Sequence, residues 1–219
     1  MDFSLQSLTD ILDDANSRLR GGAHAAARVW PTGFDPLDLH LGGGLRSGEL
    51  VLLAGPQGLG KTTWALQAAR NIALDGRSVL FFSFEHDPQT MLVRLVTLEA
   101  GLVAGTEAPN IAQVRSSFEA SDGRGSVADR LESRAGGLKA LETVESYADR
   151  MVLHRSTGSS TTLDVIRDAV EEVRHETGQL PIVFLDYLQK VKVPNGPAAE
   201  DDRVTLVVEG LKDLALDID

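Results

Sequence analysis

The chain contains no cysteine among its 219 residues. Disulfide bridges and thiolate metal sites are therefore excluded. Positive charge is scarce: 21 Lys and Arg stand against 32 Asp and Glu, for a net charge of −11. That argues against holding nucleic acid by bulk attraction alone. A local basic patch, or a ring with a basic channel and an acidic outside, stays open. Long apolar runs are missing too. LVLLAG and IVFL fall far short of the roughly 20 residues that a membrane-spanning helix needs. The first residues, MDFSLQSLTDILDD, hold no basic region followed by an apolar core. They do not read as a secretory signal. A cytoplasmic protein without a membrane partner is expected. With 42% hydrophobic and 24% charged residues, the composition suits one sizeable globular domain with room for an appendage.

Leu5, Leu8, Ile11, Leu12, Ala15 and Leu19 recur at steps that place them on one face of a helix over residues 4–20. That stripe must bury itself on its own core or on a neighbouring subunit. Gly21, Gly22 and the alanines at 25–27 read as a hinge. From Trp30 onward strands alternate with helices. LVLLAG (50–55), SVLFFSFE (78–85), MVLH (151–154) and PIVFLD (181–186) read as strands. Helices are expected over 62–74, after Asp87 with Pro88 in its first turn, around 128–148, over 163–178 and around 203–216. This alternation predicts an α/β fold with a mostly parallel sheet and helices on both faces. Residues 102–150 carry no chemistry that the sequence makes visible. The five histidines show no metal-ligand spacing. Trp64 is expected to pack its helix on the sheet, and Trp30 to anchor the entry segment.

GPQGLGKTT, residues 55–63, fits G-x-x-x-x-G-K-[ST]. Gly55, Gly58 and Gly60 let the backbone curl so that successive N–H groups face phosphate oxygens, with Pro56, Gln57 and Leu59 between them. Lys61 reaches the β- and γ-phosphates. Thr62, followed by Thr63, opens a helix and offers a hydroxyl to Mg²⁺. The motif lies between a strand pattern and a helix pattern, the context that confirms it. ATP with Mg²⁺ is the expected ligand.

Two carboxylates complete the expected site. Asp186 ends an apolar strand, as a Mg²⁺-organising residue should. Glu85 ends the strand that follows the phosphate-loop helix. Parallel strands end on the same side of a sheet, so Gly55, Glu85 and Asp186 should meet at one edge. Lys61 and Glu85 are the expected catalytic residues.

The stretches PTGFDPLDLHLGGGLRSGELVLLAGPQGLGKT, FFSFEHDPQTMLVRL and IVFLDYLQKV resemble the ATPase domain of DnaB-type replicative helicases, within the wider RecA-like class. The resemblance covers about residues 28–100 and 151–219. It implies a linker-like helix and hinge over 1–27 and a RecA-like ATPase core over 28–219, with a variable helical segment at about 102–150. It also implies that Glu85 polarises the attacking water while Lys61, Thr62 and Asp186 handle phosphate and Mg²⁺. Gln189 matches a family position without a firm role. A homo-oligomeric ring, a hexamer in that family, and single-stranded DNA are the implied partners.

Other outcomes stay open. The circadian-clock KaiC type and the RadA repair type share these motifs and use ATP to switch assembly or a partner interaction. An ATP-binding fragment without turnover is a further reading. The loop after Asp186, which should approach DNA, carries Glu200, Asp201 and Asp202. The sequence ends after the helix that follows Asp186, where the family resembled continues with further strands, so the resemblance implies a truncated domain. It also implies an incomplete sheet, with a gap between the strand of Gly55 and the strand of Asp186; the alternative is that the sheet closes up or borrows a strand.

Overall fold

The computed structural model describes residues 5–21, 29–123 and 125–218. The first helix, α1 (Leu8–Arg20), starts later than the stripe alone suggests because Ser7 and Asp10 form a capping box. The Asp10 carboxylate accepts from the Ser7 N–H at 2.9 Å, and Ser7 Oγ accepts from the Asp10 N–H at 3.1 Å. Its apolar stripe is uncovered: Leu8, Leu12 and Leu19 are 80%, 63% and 72% exposed. Most of the expected hinge, residues 22–28, lies outside the described residues.

The entry segment holds structure that the sequence pattern did not announce. The short strands β1 (Val29–Trp30) and β2 (Leu45–Arg46) pair antiparallel around α2 (Asp35–His40). The Asp38 carboxylate ties the turn by accepting from the Thr32 and Gly33 N–H groups at 2.9 and 3.0 Å. At Gly44, φ is +136°, and a Cβ would sit 2.3 Å from the Trp30 carbonyl oxygen. No other residue fits there without moving the backbone.

The body continues through α3 (Lys61–Leu74), β3 (Val79–Ser83) and α4 (Pro88–Ala104). Three short helices follow: α5 (Ile111–Glu119), α6 (Val127–Glu132) and α7 (Gly137–Glu145). Then come β4 (Met151–Arg155), α8 (Leu163–Thr177), β5 (Ile182–Asp186) and α9 (Glu200–Asp217). The parallel sheet runs β4–β3–β5. Ser83 stands level with Arg155 on one side and Asp186 on the other.

As the central strand, β3 is buried on both faces, which explains its unbroken apolar run. Val79 and Phe81 join the core built with α3, α4 and α7. Leu80 and Phe82 join a second core with α8 and α9. Helices thus cover both faces, as the alternation predicts. Phe81 stacks on Phe184 of β5 at 5.7 Å between ring centres. Trp64 packs on the first core and also stacks on Phe34 at 5.8 Å. Trp30 is buried in β1.

One expected strand is corrected. LVLLAG, residues 50–55, forms no strand, and Val51, Leu52 and Leu53 are 49%, 54% and 50% exposed. An apolar run becomes a strand only when its N–H and C=O groups find a ladder. Among the described residues β5 pairs with β3 alone. A cleft of about 1400 Å³ is lined both by residues 50–54 and by Ile182–Leu185. The expected gap between the Gly55 segment and the Asp186 strand is therefore present.

Candidate nucleotide site

The loop over residues 55–60 turns sharply into α3. Gly58 and Gly60 both sit at φ +85°, in the left-handed region, and Gly60 is the residue that opens the helix. Lys61 begins α3 and folds back over the loop. Its Nζ donates to the carbonyl oxygens of Gly55 at 2.8 Å and Pro56 at 3.0 Å. The next residue reaches across the cleft: Thr62 Oγ1 donates to Asp186 Oδ2 at 2.8 Å. The helix of the phosphate loop and the end of β5 thus meet through a hydroxyl and a carboxylate. Both are hard oxygen donors of the kind Mg²⁺ takes.

Glu85 lies two residues past β3, exposed at the same sheet edge as Asp186. The turn that carries it is fixed on either side. Ser83 Oγ accepts from the His86 N–H at 3.0 Å, and Phe84 N–H donates to the Asp186 carbonyl at 2.9 Å. Asp87 then caps α4, accepting from the Thr90 N–H at 2.9 Å and the Thr90 hydroxyl at 3.0 Å. These hydrogen bonds, the backbone one first, hold the Asp87 carboxyl below the usual carboxylate range.

The cleft collects most of the expected residues. Gly55, Gln57, Gly58, Gly60, Lys61, Thr62 and Thr63 line it together with Glu85 and Asp186. Pro56 and Leu59 do not, and Leu59 is 72% exposed.

The segment after β5 corrects another expectation. Glu200, Asp201 and Asp202 are not an open acidic loop; they form the first turn of α9. There the helix dipole offsets their charge. Beside that turn a depression of about 540 Å³ is lined by Tyr187, Gln189, Lys190, Lys192 and Arg203, with Glu200 as its one carboxylate. Lys192 Nζ donates to the Ser159 carbonyl at 2.8 Å, and the Lys190 ammonium lies 6.0 Å from the centre of the Tyr187 ring.

A buried ionic cluster behind the site escaped the sequence reading. Arg70 on α3 forks onto Glu99 of α4, with Nε and Nη2 each 2.6 Å from a carboxylate oxygen. The Tyr147 hydroxyl donates to the same carboxylate at 3.1 Å. Glu99 raises the pKa of the Arg70 guanidinium, chiefly through the hydrogen bond. Burial, then the charge of Glu99, pushes the Tyr147 phenol upward. Glu99 follows Leu98 within α4, and only the fold brings Arg70 and Tyr147 to it.

The family model described as the DnaB-like helicase C terminal domain matches residues 30–219. The chain belongs to that family. Among curated relatives, the DNA repair protein RadA of Mycobacterium tuberculosis (strain ATCC 25618 / H37Rv) is 31% identical over 185 residues, 83% of this chain and 35% of that protein. The replicative DNA helicase DnaB of Pasteurella multocida (strain Pm70) is 26% identical over 190 residues, 86% of this chain and 36% of that protein. The chain therefore spans about a third of the length of these two relatives.

Among solved structures, a DnaB-like replicative helicase, solved for its interactions with primase, superposes with a TM-score of 0.74 at 18% identity, over 97% of this chain and 47% of that one. A separately solved ATPase domain gives 0.75 at 18%, over 99% and 69%. At such identities these two likenesses establish the fold, which is the RecA-like ATPase fold of the family. No described helix is long and apolar enough to cross a membrane.

Proposed function

We propose that this chain is the ATP-driven motor domain of a DnaB-like helicase, acting in the cytoplasm and moving on single-stranded DNA as part of a ring. The observation that carries the reading is the Thr62–Asp186 hydrogen bond of 2.8 Å at the mouth of the phosphate loop. It joins residues 124 positions apart in sequence at the sheet edge where Glu85 also lies.

The chain's own groups divide the work. Lys61 leaves the Gly55 and Pro56 carbonyls for the β- and γ-phosphates, exchanging neutral acceptors for charged ones. The loop N–H groups and the start of α3 hold the phosphates. Thr62 and Asp186 would hold Mg²⁺, which neutralises charge on the phosphate oxygens when bound. Glu85 orients water for attack on the γ-phosphorus, and its solvent exposure leaves a route for that water. The exposed stripe of α1 packs on a neighbouring copy. Lys190, Lys192 and Arg203, beside Tyr187, offer the basic surface for single-stranded DNA.

The test is unwinding of a forked duplex with Mg-ATP, together with ATP turnover with and without single-stranded DNA. Unwinding and DNA-stimulated turnover are expected. A stable monomer whose turnover ignores DNA would overturn the helicase reading. A second reading has its own support, the 31% identity to RadA: an ATPase that switches assembly in DNA repair. It predicts ATP-dependent capture of a partner without unwinding.

A further inference from the structure

We infer that the Arg70–Glu99–Tyr147 cluster positions the nucleotide loop from behind, by bracing α3 against α4 so that Lys61 and Glu85 keep their spacing. The inference rests on the roles proposed above for Lys61 and Glu85.

Lys61 is the first residue of α3, so whatever fixes the place of that helix also fixes the start of the Lys61 side chain.

The far half of α3 is tied on several sides. Arg70 forks onto Glu99 of α4, whose own side chain is only 2% exposed. Tyr147, fully buried, fixes the same carboxylate. Arg70 Nη1 also donates to Asn71 Oδ1 at 3.0 Å, and Asn71 Nδ2 donates to the Thr32 carbonyl at 2.8 Å. Arg150 Nε donates to the Ala73 carbonyl at 2.9 Å. Each tie is directional, so together they fix the rotation and slide of α3, which apolar packing alone leaves softer.

The geometry carries that fixity to the site. Lys61 opens α3 and Arg70 lies nine residues later, about 14 Å along the axis. Glu85 lies just ahead of α4, and Glu99 is eleven residues past its first residue, about 16 Å along. The two helices leave the site from Lys61 and from just beyond Glu85, and the cluster joins them at the other end.

Stability alone does not explain the choice of residues. A well-packed apolar pair serves a core as well as a buried ion pair, or better. What a bidentate Arg–carboxylate contact adds is a defined mutual orientation.

The absence of cysteine makes the test clean. Spin labels at Thr63→Cys and Gln89→Cys report the distance between the starts of α3 and α4, and turnover is read on the unlabelled proteins with Thr63 and Gln89 in place. The parent should give one narrow distribution. Arg70→Met with Glu99→Leu should fold, yet give a broadened or shifted distribution and lose turnover roughly 10- to 100-fold, as a displaced reacting group does. An unchanged distribution with unchanged turnover would overturn the brace, since packing would then suffice. If the double variant does not fold, Glu99→Gln with the same labels decides in the same way. Should the parent itself fail to hydrolyse ATP, the proposed function falls. The distance distributions would still decide whether the cluster sets the spacing.

Discussion

Thr62 and Asp186 share a 2.8 Å hydrogen bond, although one lies in the first turn of the phosphate-loop helix and the other closes the last strand of the sheet. The bond joins a strand that has a ladder to a loop whose preceding segment has none among the described residues. On one side stands β5, held by β3. On the other stands a loop whose preceding segment pairs with no strand among the described residues.

Lys61→Ala should raise the dissociation constant for ATP by roughly 10- to 100-fold, the worth of one charge-assisted contact to phosphate. Fluorescent-nucleotide titration checks this. Because the Lys61 ammonium here bonds the carbonyls of its own loop, thermal stability without nucleotide should change little. A large drop in melting temperature would mean that the lysine holds the loop together.

Glu85→Gln should keep nucleotide binding and lower turnover by about 10²- to 10⁴-fold, the range for removing a general base. Single-turnover kinetics with labelled ATP separate the two effects. Turnover at the parental rate would show that another group orients the water.

Phe81→Ala should destabilise the fold by about 3–5 kcal/mol, since the ring is fully buried and stacked on Phe184. Leu52→Ala, on a half-exposed side chain of the unpaired segment, should cost about 1 kcal/mol or less. Urea titrations compare them. Equal losses would indicate that residues 50–54 are packed in solution after all.

His154 packs against Phe82 at 4.8 Å between ring centres and lies 3.0 Å from the Ser156 hydroxyl. Burial holds its pKa below the usual 6.5. Well above pH 6.5 it is neutral in both folded and unfolded chains and costs nothing. As pH falls from 6.5 towards the lower folded value, the unfolded chain binds a proton that the folded chain refuses, and stability declines. Urea midpoints at about pH 7.5 and about pH 5.5 should therefore differ more in the parent than in His154→Gln. Identical pH dependence in the two proteins would remove His154 from the account.

Leu8→Asp together with Leu12→Asp should weaken self-association without unfolding the core. Both side chains are exposed on α1, and burying a leucine contributes about 1.5–3 kcal/mol. Sedimentation velocity should show a shift to smaller species, with the circular dichroism melt of the core preserved. An unaltered assembly would place the subunit contact elsewhere.

Much of the site could be read before folding. Gly58, Gly60, Lys61 and Thr62 announce themselves by spacing, because a phosphate cradle needs consecutive backbone donors and a helix start. Glu85 and Asp186 announce themselves as carboxylates ending apolar runs. The helix start at Asp87 was equally visible, since a cap is local. Three things were not. Residues 50–54 have the composition of a strand, but a strand is a property of a pair. Glu200, Asp201 and Asp202 look like a repulsive loop until their helix is seen to begin at Glu200. Arg70, Glu99 and Tyr147 come from three distant stretches of chain, and no local pattern links them.

The sequence by itself determined the alternation of strands and helices, the phosphate loop and the identity of the polar groups at the sheet edge. These depend on residue type and short-range spacing, which the chain carries wherever it goes. Only the tertiary structure decided which apolar run joins the sheet, which charges are buried together and how α3 is held. Those outcomes depend on ladder partners and desolvation, and both exist only once distant segments meet.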